Sequence, residues 1–114
     1  MLTRDAILSV VDLPRESVEV PEWGGTVCVR TLTAAERDRF EISTIERRKA
    51  GRPTRFRAYL AALAVCDESG VRLFEDADAD ALEAKSSAAL DRVAAVAMRL
   101  SKIGESDVKE LEKN

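Results

Sequence analysis

The alternation of apolar and polar positions changes period along the chain, and each change marks an element. Val18 and Val20 alternate with polar neighbours, as do Val27 and Val29, which predicts two short strands with one apolar face each. Trp23-Gly24-Gly25 lies between them, with glycines free to take the positive φ that a hairpin connection needs. Pro21 lacks an N–H and should end the first strand. Cys28 faces away from Val27 and Val29 and is expected to be partly exposed. Thr33 and Glu36 have the spacing of a capping box, so the chain should leave the hairpin directly into a helix.

Elsewhere the period is helical. Thr3 is placed to cap a short helix through Val11, with Ile7, Val10 and Val11 on its apolar side and Asp12-Leu13-Pro14 as its stop. The helix from Thr33 to Lys49 has only Phe40, Ile42 and Ile45 as large apolar residues, so it should lie on the surface or reach away from the core. Ala50-Gly51-Arg52-Pro53 breaks it. From Arg55 to Val65, Phe56, Tyr59, Leu60 and Leu63 recur at helical spacing among alanines, which predicts the central helix of a small core. Asp67-Glu68-Ser69-Gly70 reads as a turn and Val71-Arg72-Leu73-Phe74 as a third short strand. Ser86 or Ser87 should cap a helix running to Ile103, with Ala89, Val93, Val96, Ala97, Leu100 and Ile103 on one face and Gly104 at its left-handed end. Ser106 then caps a last short helix whose apolar residues are Val108 and Leu111. Such a helix is marginal alone and must dock or fray. The expected fold is a single helix-dominated α+β domain over residues 1–114. Its N-terminal β-hairpin, with a third strand at 71–74, packs with about four to six helices.

Composition narrows the chemistry. The 114 residues are 46% apolar but only 4% aromatic, so the core must be built from Ala, Leu, Val and Ile. No apolar run approaches the roughly 20 residues of a membrane span, and Met1-Leu2-Thr3-Arg4-Asp5 has no signal-peptide character, so a cytosolic protein is expected. The absence of histidine removes Ser-His-Asp and Cys-His catalysis and His-containing zinc sites. Cys28 and Cys66 fit no metal or redox spacing and are expected as free thiols in a reducing compartment. Asp76-Ala77-Asp78-Ala79-Asp80 invites comparison with a calcium loop, but the positions that need Gly and a bidentate Glu hold Ala81 and Ser87. An acidic helix N-terminus is the simpler reading. No enzyme activity, metal or cofactor is expected.

The net charge of −3 gives no global reason to expect nucleic acid, yet charge is placed unevenly. From Arg47 to Arg57 there are six basic residues and no acid; from Asp67 to Glu83 there are seven acids against Arg72. The basic stretch reads either as a phosphate contact or as a solvated helix end, loop and first helical turn. No aromatic platform or Gly-rich loop accompanies it, which favours the second reading; contact with an acidic protein surface lies between the two.

Over nearly its full length the chain resembles the tail assembly chaperones of long-tailed bacteriophages and their prophages. The likeness is carried by Arg4-Asp5-Ala6-Ile7-Leu8, by Val18-Glu19-Val20-Pro21-Glu22-Trp23-Gly24-Gly25, by Val29-Arg30 with Leu32-Thr33, and by Glu36-Arg37-Asp38. Further on it runs through Cys66-Asp67-Glu68, Arg72-Leu73-Phe74, Lys85-Ser86, Ala89-Leu90-Asp91-Arg92-Val93, Arg99-Leu100-Ser101 and Gly104-Glu105. The resemblance implies a non-enzymatic role in the bacterial host cytoplasm, with several copies coating the tape measure protein until the tail tube polymerises around it. It also implies absence from the mature virion, and recruitment of the tail tube protein through a frameshift-extended product. For that work the candidate partner-binding residues are the stripe Phe40, Ile42 and Ile45, the tail pair Val108 and Leu111, and the basic residues Arg47, Arg48, Arg52 and Arg55. The opposed basic and acidic stretches suggest head-to-tail self-association. The alternative is a small nucleic-acid-binding adaptor or regulator of a mobile element that uses the basic stretch 47–57.

Overall fold

The computed structural model describes residues 1–112. Strands β1 (Arg15–Val20) and β2 (Gly25–Arg30) form the expected antiparallel hairpin, with Val18 opposite Val27 and Val20 opposite Gly25. A 3-10 turn over Pro21–Trp23 connects them. Gly24, at φ 71°, supplies the left-handed step and donates its N–H to the Pro21 carbonyl at 3.0 Å. Gly25 is already in β2 and has no positive φ.

The sheet has the order β1-β2-β3, and its third strand is β3 (Val65–Cys66), pairing with β2 through Cys28–Cys66 and Val29–Val65. The stretch 71–74 adds one bridge, Arg72 to Cys66, and Leu73 donates to the Val65 carbonyl at 3.1 Å. Beyond that bridge the chain is drawn off the sheet, because the Arg72 guanidinium reaches the Ala62 carbonyl at 2.8 Å and the Asp76 carboxylate at 2.9 Å.

Helix α1 (Arg4–Ser9) is capped by Thr3, as the sequence predicts, but stops short of Val10 and Val11. Helix α2 (Ala34–Lys49) starts at the complete Thr33–Glu36 capping box. It closes at Gly51 (φ 69°), where Gly51 donates to the Arg48 carbonyl and Arg52 to that of Arg47, the paired bonds of a Schellman turn. Helix α3 (Phe56–Ala64) is the centre of the core, with every residue from Ala58 to Ala64 buried. The sheet face carrying Val20, Val29 and Val65 covers it together with α4 (Ala79–Leu82), which follows a 3-10 turn at Asp76–Asp78, and α5 (Ser87–Leu100).

Helix α5 ends three residues before Ile103. Lys102, not Gly104, takes the left-handed conformation at φ 58°, and Ile103 donates to the Met98 carbonyl at 2.8 Å. Gly104 instead opens α6 (Glu105–Glu112), its N–H held by the Asp107 carboxylate at 2.8 Å. The tail helix docks: Ile103 and Val108 are buried, and Leu111 packs against the core.

Two polar nodes lock the hairpin to the helices. Arg30 Nη2 donates to Glu36 at 2.9 Å in a buried ion pair and to the Leu63 carbonyl at 3.3 Å, while Glu36 also accepts the Thr33 N–H. Burial pushes the Glu36 carboxyl up, but Arg30 and the Thr33 N–H outweigh it and leave the pKa below the usual range. The Ser101 hydroxyl accepts the Leu32 N–H at 2.9 Å, and Arg37 donates to the Ser101 carbonyl at 3.1 Å.

Candidate functional site: exposed apolar and charged surfaces

The α2 stripe divides on folding. Phe40 is 1% exposed in the core, its ring centroid 6.3 Å from that of Tyr59; Ile45 is half-buried, and Ile42 is exposed. Phe40 therefore holds α2 down, and the outer face offers one large apolar side chain. Ile42 sits in an open groove of about 540 Å³ with Arg39, Glu46, Arg47, Arg52 and Tyr59, a lining that is mostly charged. At the tail, Val108 is 8% exposed and lines a groove with Phe56, Ala94 and Met98; Leu111 is half-buried. The tail pair faces the domain.

Half of the basic stretch, Arg47, Arg55 and Arg57, is engaged within the molecule. Arg47 donates from Nε to the Pro53 carbonyl at 2.8 Å. Arg55 takes a left-handed conformation, pairs with Asp80 and places its guanidinium 5.8 Å from the Tyr59 ring centroid. Arg57 pairs with Asp91. Asp76, in the acidic stretch, accepts from Arg39, Tyr59 and Arg72, each at 2.9 Å, tying α2, α3 and the following loop together. Burial pushes the Asp76 carboxyl up, but those three donors prevail and hold it down at about 2. Among the described residues one ion pair, Arg55 with Asp80, joins the basic stretch to the acidic one within the molecule. Arg48, Lys49 and Arg52 have no ion-pair partner among the described residues. Arg48 carries Nε and Nη1 buried without a hydrogen bond. Neighbouring cations keep this corner positive, and desolvation, then Arg55 and Arg52, lower the Arg47 pKa.

Among the described residues most exposed large apolar side chains lie on the N-terminal arm, which the sequence reading did not single out as a contact surface. Not one residue of α1 is buried, and Leu2 (79%), Ile7 (53%), Leu8 (67%), Val10 (58%) and Val11 (88%) stand in solvent. Val10 and Val11 share a small groove with Ser69 and Gly70, and Val71 and Leu73 are exposed just beyond that turn. The end of the arm therefore meets the Ser69–Gly70 turn through Val10 and Val11. Periodicity placed Ile7, Val10 and Val11 on one side of a helix but held no information on whether anything would cover that side. The available signal was the arm's brevity: a helix of six residues cut off by Asp12-Leu13-Pro14 has little means of folding back.

Among the described residues no group of three or more His, Cys, Asp or Glu side chains is placed to hold a metal ion. Among the described residues no helix is long and apolar enough to cross a membrane. What the surface offers is contact with another chain, through bare apolar side chains on the arm and a residual positive corner at the end of α2. No curated protein and no solved structure matches the chain. The family model described as phage tail assembly chaperone matches residues 3–114, and the chain belongs to that family.

Proposed function

We propose that this chain is the non-enzymatic chaperone of the tape measure protein. Several copies bind that long apolar client in the bacterial host cytoplasm, keep it soluble and extended, and leave before the virion is complete. A frameshift-extended form of the same chain recruits the tail tube protein.

The observation that supports this reading is the bare N-terminal arm. Beyond the arm most large apolar side chains pack around α3, with Ile42, Val71 and Leu73 exposed, whereas Leu2, Ile7, Leu8, Val10 and Val11 all stand in solvent together. Burying such a side chain against a client helix yields about 1.5–3 kcal/mol. A handful per copy offsets much of the cost of association, and several copies on one long client add avidity. Apolar anchors on a short helix are suited to pairing with an amphipathic helix. The exposed cations Lys49 and Arg52, without an ion-pair partner among the described residues, would favour acidic stretches of the client. Nucleic-acid binding through 47–57 is the weaker reading, because Arg55 and Arg57 are already paired with Asp80 and Asp91.

The test is co-expression with the tape measure protein of the same genome, followed by solubility measurement and pull-down. Wild-type protein should render the client soluble and co-purify with it in several copies. The double variant Leu8→Asp, Val11→Asp should fold normally and lose the client. A client that stays insoluble and unbound overturns the proposal. Retention of nucleic acid instead, falling steeply with salt, would transfer the function to the basic stretch.

A further inference from the structure

The two cysteines, 38 positions apart in the chain, are direct cross-strand partners: Cys28 in the middle of β2 stands opposite Cys66 in β3. Opposed residues in an antiparallel pair send their side chains to the same face. The kind of pair follows from the bonds on the other side of β3. Asp67 donates to the Val71 carbonyl at 2.8 Å and Leu73 to the Val65 carbonyl at 3.1 Å, so these bonds straddle Cys66 and Arg72. The N–H and C=O of Cys66 itself must then point to β2, which makes Cys28–Cys66 a hydrogen-bonded pair. Such pairs hold their Cα atoms about 5.5 Å apart, inside the roughly 4.4–6.8 Å that a disulfide spans, while their Cβ atoms stand about 5.5 Å apart against the roughly 3.5–4.5 Å of a bridge, so closure draws β3 about 1 Å toward β2. Cys66 Sγ lies 3.7 Å from the Cys28 carbonyl oxygen, so its sulfur already leans over its partner residue.

The two thiols differ in access. Cys66 is 2% exposed, whereas Cys28 is half-exposed. Burial first, and Cys28 beside it second, push the Cys66 thiol up to about 11 although Arg30 and Arg15 pull the other way. Cys28 is therefore the sulfur that an external reagent meets, and Cys66 is the one placed behind it.

We propose that Cys28 and Cys66 are an oxidative modification site that closes into an intramolecular disulfide when the protein meets a low-molecular-weight disulfide such as oxidised glutathione. The Cys28 thiolate attacks one sulfur of oxidised glutathione, the S–S bond breaks, and one glutathione thiolate leaves and takes up a proton. Cys66 then loses its proton to solvent and attacks Cys28 Sγ, releasing the second glutathione. Two protein thiols are oxidised and one glutathione disulfide is reduced to two thiols. The bridge joins β2 to β3, directly after α3, and staples a third strand that is otherwise two residues long.

The test is incubation of the native full-length protein with oxidised glutathione, read by intact mass, by non-reducing electrophoresis and by thermal unfolding. The expected product is a monomer lighter by two hydrogen atoms, with no glutathione retained and a Tm raised by roughly 5–10 °C. Cys66→Ser should stop at one glutathione adduct on Cys28, and Cys28→Ser should leave Cys66 unmodified in the folded state. Peptide mapping of the wild-type product locates the bond even where either variant fails to fold. Two separate adducts, a disulfide-linked dimer, or two thiols that stay free would each overturn the proposal.

Discussion

The chain carries a short helix near each end, and the two have opposite fates. Helix α6 has Val108 and Leu111 as its large apolar residues and packs onto the domain; α1 has Ile7 and Leu8 and buries neither. Apolar content does not separate them. The difference lies in how the chain arrives. Before α6, Lys102 turns left-handed, Ile103 plugs into the core, and Gly104 starts the new helix at once, so α6 is folded back over α2. After α1, the chain passes through exposed Val10 and Val11 and enters the sheet at Pro14, whose carbonyl accepts the Thr31 N–H at 3.0 Å. A tight reversal delivers an amphipathic segment to the core; an extended exit leaves the same kind of segment in water.

That contrast is best broken at Val108. Val108→Asp places an unpaired charge in a buried position and should cost about 3 kcal/mol in urea unfolding; a loss under about 1 kcal/mol would mean that α6 is not part of the cooperative unit. A smaller effect is expected at Asp76, which binds together the body that α6 joins and α1 does not. Asp76→Asn should cost about 1 kcal/mol near neutral pH, solvent screening at a carboxylate 37% exposed cutting what the shifted pKa alone would imply. Because the folded pKa is depressed, this contribution is complete above the ordinary value of 3.8 and fades as pH falls toward about 2. The wild-type advantage over the Asn variant should therefore shrink across that window in acid unfolding curves. The smallest effect belongs to the arm: Ile7→Ser with Leu8→Ser should change stability by no more than about 0.5 kcal/mol, since neither side chain leaves the core. A larger destabilisation would show that α1 has cover in solution.

Local signals read well from the sequence. The hairpin, the Thr33–Glu36 capping box and the central α3, buried from Ala58 to Ala64, each rest on residues within one element, and each appears where expected. The departures are all non-local. Residues 71–74 have strand alternation, yet Arg72 is pulled toward Ala62 and Asp76, and Val65–Cys66 takes the edge instead. Gly104 looks like a helix end, but Ile103 needs the core and forces Lys102 to make the turn. Of the candidate contact residues, Phe40 and Val108 carry the right apolar character and are consumed by packing, while Arg55 is consumed by Asp80. Period, capping and charge runs say which face an element has; they do not say what meets it.

The independence of the arm also bears on how such a chain changes over generations. A core position such as Val29 or Leu60 must satisfy neighbours on every side, and most replacements there reduce the population of folded molecules. Positions 1–12, all exposed, answer to no such set of neighbours. They can drift, exchange or be grafted from another chain at little risk to folding, limited chiefly by solubility. On the function proposed above, recognition and architecture are held in separate stretches of one short polypeptide, so a new client would demand a new arm and not a new fold.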